Sequence, residues 1–144
     1  MVPIPSGSDW LRVFVYGTLK PGESNFGPYC AEKVVYQQEA IAHGQLFDLP
    51  LGYPAMVEGD GEVRGYVLWF SDRTVLHHLD KLEDYDPHRP LQENEYLRRQ
   101  VPIFDLHHQP LGSAWTYLMS LERIKQLNGS PVLGGIWTGC RSIG

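Results

Sequence analysis

Few of the usual markers of a chemistry occur in this chain. Its two cysteines, Cys30 and Cys140, stand in no metal-binding or redox spacing. Zinc-ribbon and dithiol readings therefore fall away, and two free thiols in a reducing compartment are expected. No apolar run approaches the ~20 residues that cross a bilayer. The opening M-V-P-I-P-S-G-S-D-W has no basic segment followed by an apolar stretch, so no secretory signal is expected. A soluble, cytoplasmic protein without a membrane partner is the expectation. Positive charge is scarce as well: 12 Lys and Arg stand against 17 Asp and Glu, a formal net charge of −5. A nucleic-acid partner would need a basic footprint. Internal repeats and low-complexity tracts are absent.

The chain has 144 residues, 42% hydrophobic and 20% charged, enough for one domain (1–144) with a real core. Residues 1–10 read as a loose lead-in. Leu11–Leu19 reads as a strand apolar on both faces, Val13 and Val15 on one and Phe14 and Tyr16 on the other, which suits a central position. Lys20-Pro21-Gly22 signals a type II turn. Residues 23–38 are irregular or weakly helical. Glu39–Leu49 is a second strand, with a bulge expected at Gly44. Tyr53–Val57 and Val63–Phe70 are apolar pieces, and E-G-D-G-E at 58–62 predicts a hairpin turn between them. Residues 72–83 form the one clear helix, with Asp72 able to cap it. The polar, proline-containing stretch 86–95 reads as a loop. Tyr96–Phe104 and Ser113–Met119 are further strands, and Leu121–Leu127 a short helix ended by Asn128-Gly129. About six strands that do not alternate with helices argue against a doubly wound parallel sheet. The expected class is α+β, on a curved or closed sheet.

The helix carries an oddity. With Val75 at zero and about 100° per residue, Leu79 and Leu82 define an apolar stripe, and Glu83 falls inside it. Asp84 faces the polar side and Asp80 the edge. A buried carboxylate is costly unless paired or neutralised, and desolvation raises its pKa toward the range a proton shuttle needs. The plain alternative is a frayed last turn that lets Glu83 swing into water.

A second segment bears on that choice. V-F-V-Y-G-T-L-K-P-G-E-S-N, residues 13–25, resembles the signature loop of the γ-glutamylcyclotransferase-like family, in its small AIG2-like, γ-glutamylamine cyclotransferase branch. L-D-K-L-E-D-Y at 79–85 resembles the family's helix end, and Y-L-R-R-Q-V-P-I at 96–103 the strand that follows. The likeness runs from about residue 11 to 119. It implies a small mixed β-barrel flanked by helices, with a cavity at its mouth. It implies a reaction too: a γ-glutamyl substrate's own α-amine attacks its γ-carbonyl, giving 5-oxoproline and a free amine. On this resemblance Glu83 is the catalytic acid/base. Tyr16, Gly17, Thr18 and Leu19 offer backbone N–H groups to substrate oxygens, and Tyr117 lines the cavity. No metal or cofactor is required, and the partner is a small γ-glutamyl molecule. The family often has Gly where this chain has Asp84. That second carboxylate either raises the pKa of Glu83 or faces solvent.

Other residues carry plainer readings. The loop 13–22 is a ligand holder if the resemblance holds and a strand-to-turn exit if not. Tyr117 is equally readable as a core aromatic, and Asn25 as a turn residue. Arg98 and Arg99 point to opposite strand faces; one is a candidate to reach a substrate carboxylate, and the plainer reading is one structural ion pair and one surface charge. His77-His78 and His107-His108 diverge too far to converge on one metal ion. Trp137 in the Gly-rich tail is a candidate to close over the cavity. Two function classes stand: a γ-glutamyl cyclotransferase, or a binding module that keeps the cavity and uses Glu83 to recognise an amine. The leaving amine and the oligomeric state are not readable.

Overall fold

A ring of strands sets where everything else can go. The computed structural model describes residues 10–137. The lead-in expected over 1–10 lies outside them apart from Trp10, as does Cys140. The elements are β1 (Leu11–Val15), β2 (Val34–Asp48), β3 (Pro54–Phe70), α1 (Val75–Leu82), β4 (Leu97–Phe104), β5 (Pro110–Leu118), α2 (Leu121–Gln126) and β6 (Ser130–Pro131). The sheet order is β3-β1-β5-β4-β2-β6, and β3 also pairs with β2. The pairings β3-β1-β5-β4-β2-β3 thus return to their start, with β6 added to β2. The fold is mixed α+β, as the sequence suggested. All pairs are antiparallel except β1 with β5.

β1 is central, and its two faces serve two apolar clusters. Leu11, Val13 and Val15 pack with Val75 and Leu79 of α1 and Ile124 of α2. Phe14 and Tyr16 pack with Val67, Trp69, Val101 and Ala114 from β3, β4 and β5. The strand ends at Val15, four residues short of expectation. Tyr16–Lys20 leaves the ladder, and Lys20–Glu23 makes the expected turn, with Gly22 at φ 90° and the Glu23 N–H on the Lys20 carbonyl at 2.9 Å.

Three expectations change. β2 begins at Val34, inside the stretch read as irregular; a single π-helical turn at Gly27–Ala31 is all the helix there. The expected hairpin at 58–62 does not form. β3 stays antiparallel to β2 on both sides of it, with Val57 opposite Gln45 and Glu62 opposite His43. Residues 58–61 are an excursion opposite Gly44, where the bulge was expected. The glycines there allow backbones to meet: a Cβ on Gly61 would lie 2.9 Å from the Gly44 carbonyl oxygen. The true reversal is at residues 49–53, where Gly52 takes φ 99° and the Leu49 N–H bonds the Tyr53 carbonyl. Finally, α1 starts at Val75. Asp72 closes a turn just before it, accepting from the Thr74 N–H at 2.9 Å.

Candidate active site

The segment leaving β1, the turn entering β3, the end of α1, the start of β4 and the end of β5 enclose a cavity of about 290 Å³. Tyr16, Gly17, Thr18, Leu19, Glu83 and Tyr117, all singled out from sequence, line it together. Asn25, Tyr53, Pro54, Glu95 and Tyr96 complete much of its wall.

The Gly17–Leu19 segment is built to stay open. The Gly17 carbonyl accepts the Lys20 N–H, and the Thr18 carbonyl accepts that of Asn25 at 2.8 Å. The Asn25 side chain also donates to Thr18 Oγ1 at 2.9 Å, so Asn25 braces the loop. The N–H groups of Gly17, Thr18 and Leu19 have no backbone acceptor among the described residues. Such successive donors suit an anionic oxygen. Gly17 lacks a Cβ for a local reason: one would sit 2.6 Å from Pro54 Cγ. The buried Lys20 ammonium donates to the Trp137 carbonyl, and the Trp137 indole N–H reaches Asp48 at 3.0 Å. Trp137 therefore anchors the tail against the loop and does not line the cavity, correcting the expected lid.

Glu83 caps the C-terminal end of α1, its N–H on the Leu79 carbonyl at 2.9 Å. The frayed alternative does not apply. The side chain is half-buried and faces the cavity, and no hydrogen bond or ion pair to its carboxylate occurs among the described residues. Burial, then the nearby Glu95 carboxylate, push its pKa up to about 8. Asp84 has no part in that shift. It is exposed, sits at φ 52°, and pairs with Arg89 at 3.1 Å. The left-handed φ also explains why glycine suits this position.

Around Glu83 the tyrosines are fixed donors. The Tyr16 hydroxyl bonds the Tyr117 carbonyl, and Tyr96 bonds the Pro54 carbonyl at 2.6 Å. Tyr117 donates to Asp80 Oδ1 at 2.7 Å, so it is both core aromatic and cavity wall. Burial raises the pKa of all three, and they keep their protons.

Two carboxylates were missed from sequence. Asp80, placed at the helix edge by the wheel, is buried and paired with Arg98. Arg98 lies against the rings of Tyr85 and Trp115. It is the structural ion pair expected of one of the two arginines, and Arg99 is exposed. Glu95 lines the cavity and accepts a hydrogen bond from the Tyr53 hydroxyl. Its place comes from the preceding loop. Buried Asn94 accepts from the Asp86 N–H and the Arg89 guanidinium and donates to the Asp86 carbonyl, while the Glu95 N–H bonds the Asp84 carbonyl. The only signal in the sequence was a polar loop ending beside the helix that carries Glu83. The histidine pairs are exposed, and no metal-holding cluster occurs among the described residues. Cys30 is buried with its thiol pushed up to about 12, which makes it inert.

The family described as γ-glutamyl cyclotransferase, AIG2-like, matches residues 13–139. A putative γ-glutamylcyclotransferase of Vibrio cholerae serotype O1 is 39% identical over 106 residues, 74% of this chain and 79% of that protein. The γ-L-glutamyl-butirosin B γ-glutamyl cyclotransferase of Niallia circulans is 37% identical over 74 residues, 51% of this chain but only 46% of that longer protein. The crystal structure of an AIG2-like protein from Mus musculus superposes with a TM-score of 0.59 at 20% identity, covering 78% of this chain and 79% of that one, a likeness of fold.

Proposed function

The chain belongs to the γ-glutamyl cyclotransferase, AIG2-like family, and from that premise and the cavity we propose that it cleaves γ-glutamyl amides by internal cyclisation, with Glu83 as general acid and base. The observation that carries the reading is the unpaired Glu83 carboxylate, titrating near 8, in one cavity with the unused N–H groups of Gly17–Leu19.

The steps follow from those groups. The substrate's α-ammonium sits beside the Glu83 carboxylate and stabilises its ionised form. Glu83 takes one proton, which frees the amine lone pair. The amine nitrogen attacks the γ-carbonyl carbon, closing a five-membered ring. The carbonyl electron pair moves onto oxygen, where N–H donors from the Gly17–Leu19 segment stabilise the oxyanion. When the oxyanion collapses, the bond to the leaving nitrogen breaks and Glu83 returns its proton to that nitrogen; the again-ionised Glu83 then passes the ring nitrogen's second proton to the freed amine, which departs as an ammonium. The products are 5-oxoproline and a free amine. Attack within one molecule needs mainly a folded substrate, and the buried Tyr96 and Tyr117 walls shape that pose.

The test is turnover by mass spectrometry on γ-glutamyl amines, γ-glutamyl amino acids and glutathione. The wild type is expected to release 5-oxoproline and amine in equal amounts, and Glu83→Gln to lose at least about a hundredfold, the scale of lost acid–base catalysis. No 5-oxoproline from any compound, with ligands still raising the melting temperature, would hand the reading to a binding module.

A further inference from the structure

The loop that lines the cavity is fastened to a distant part of the chain. Its own backbone bonds are local: the Lys20 N–H holds the Gly17 carbonyl at 3.0 Å, and the Asn25 N–H holds the Thr18 carbonyl at 2.8 Å. Those bonds fix the shape of residues 17–25, but not where that shape stands on the barrel. The Lys20 side chain reaches outside the stretch. It is buried, 7% exposed, and its ammonium donates to the Trp137 carbonyl across 117 positions of sequence.

The receiving end is itself tied down. β6 pairs with Phe47 and Asp48 of β2, and the Val132 N–H bonds the Leu46 carbonyl at 2.8 Å. Gly135, at φ 71°, lies so close to β3 that a Cβ there would stand 2.1 Å from the Glu62 carbonyl oxygen. The Trp137 ring is buried in the apolar cluster of Phe14 and Tyr16, and its indole N–H holds Asp48. The carbonyl that Lys20 meets is therefore a fixed point on the wall formed by β2 and β3. Taking an ammonium out of water is costly, and an apolar side chain would fill the same space without that penalty. Lys20 does not line the cavity, so its effect on a bound substrate passes through the loop.

We propose that Lys20 is a positioning residue: by clasping the Trp137 carbonyl it holds the Gly17–Leu19 N–H groups where the oxyanion forms. The inference rests on the reaction proposed above, in which those donors act once the carbonyl electron pair has moved onto oxygen. A small displacement of the donors then weakens the transition state more than it weakens substrate binding.

Lys20→Met keeps the length of the side chain and removes the clasp. On a γ-glutamyl amide that the wild type turns over, kcat is expected to fall about ten- to a hundredfold, with KM within about threefold of wild type. Trp137→Phe keeps the carbonyl and most of the ring but drops the bond to Asp48. It should lower kcat in the same way by about threefold, and it decides the matter if Lys20→Met folds poorly. NMR order parameters of the free protein give a reading that does not depend on turnover. In Lys20→Met the Gly17, Thr18 and Leu19 amides should fall below about 0.6, while Val13 and Val15 of β1 stay near about 0.85. Unchanged kcat in a folded variant would overturn the proposal, and so would a loss confined to KM or to the melting temperature. If the wild type turns over no γ-glutamyl amide, it is the cyclotransferase reading that fails. The order parameters then decide the present one, and loop amides as rigid in Lys20→Met as in the wild type would refute it.

Discussion

A carboxyl titrating near 8 is mostly protonated at neutral pH, and only its ionised form can take the substrate's proton. The value of kcat/KM should therefore fall about tenfold per unit as pH drops below 8. Glu95 is the second cause of the raised value, so Glu95→Gln should move that limb to lower pH; a pH–rate profile of both proteins reads it. Stability runs in the opposite sense. The folded pKa lies above the unfolded one, so the folded protein holds a proton that the unfolded chain has lost between about 4.5 and 8. Stability thus declines as pH rises through that window. Glu83→Gln removes the penalty and should stabilise by roughly 1–2 kcal/mol above pH 8, with little gain below pH 4. Urea melts at the two pH values measure it. Gly17 is the opposite case. Alanine there drives a methyl into the Pro54 ring, and should cost both stability and turnover.

The loop between α1 and β4 works as one unit because Asn94 collects its polar groups. Asn94→Ala leaves the Asp86 N–H and the Arg89 guanidinium without that acceptor. We expect a loss of about 1–3 kcal/mol, and a raised KM with kcat less affected, since the loop places Glu95 and not Glu83. Steady-state kinetics on a γ-glutamyl amide that the wild type turns over separate the two constants. How far the sequence disclosed these elements follows from what fixes each one. Glu83 was legible because a single helix period places it. The loop Gly17–Leu19 was legible because a strand ends there in small and turn-forming residues. Asp80 was misplaced because its partners, Arg98 and Tyr117, come from β4 and β5, which no wheel includes. Glu95 had no period to read: a network across residues 84–95 aims it. The Asp60-Gly61 turn signal was overruled by pairing on both sides with β2, while the reversal at Pro50-Leu51-Gly52 passed as a break between strands.

At the scale of the molecule, the cavity exists because the strand ring closes and α1 is packed against it. One tie between them is the largely buried Asp80–Arg98 pair, with Asp80 also accepting the Tyr117 hydroxyl. Asp80→Asn would strand the Arg98 charge and should cost about 3–5 kcal/mol, the usual loss when one partner of a buried pair is removed. It should also slow turnover by releasing Tyr117; chemical denaturation and activity assays on one preparation test both effects. β1 meanwhile has neighbours from far along the chain. Val13 pairs with Trp115 of β5, the Thr116 hydroxyl bonds the Phe14 carbonyl, and Lys20 is capped by Trp137. During synthesis on a ribosome, β1 emerges ahead of β5 and waits for Thr116, 102 residues beyond Phe14. Its apolar edge stays open until β5 has been made, an interval in which a holding chaperone would matter. A nascent or truncated chain can display Tyr16-Gly17-Thr18-Leu19 in full and still have no pocket around it.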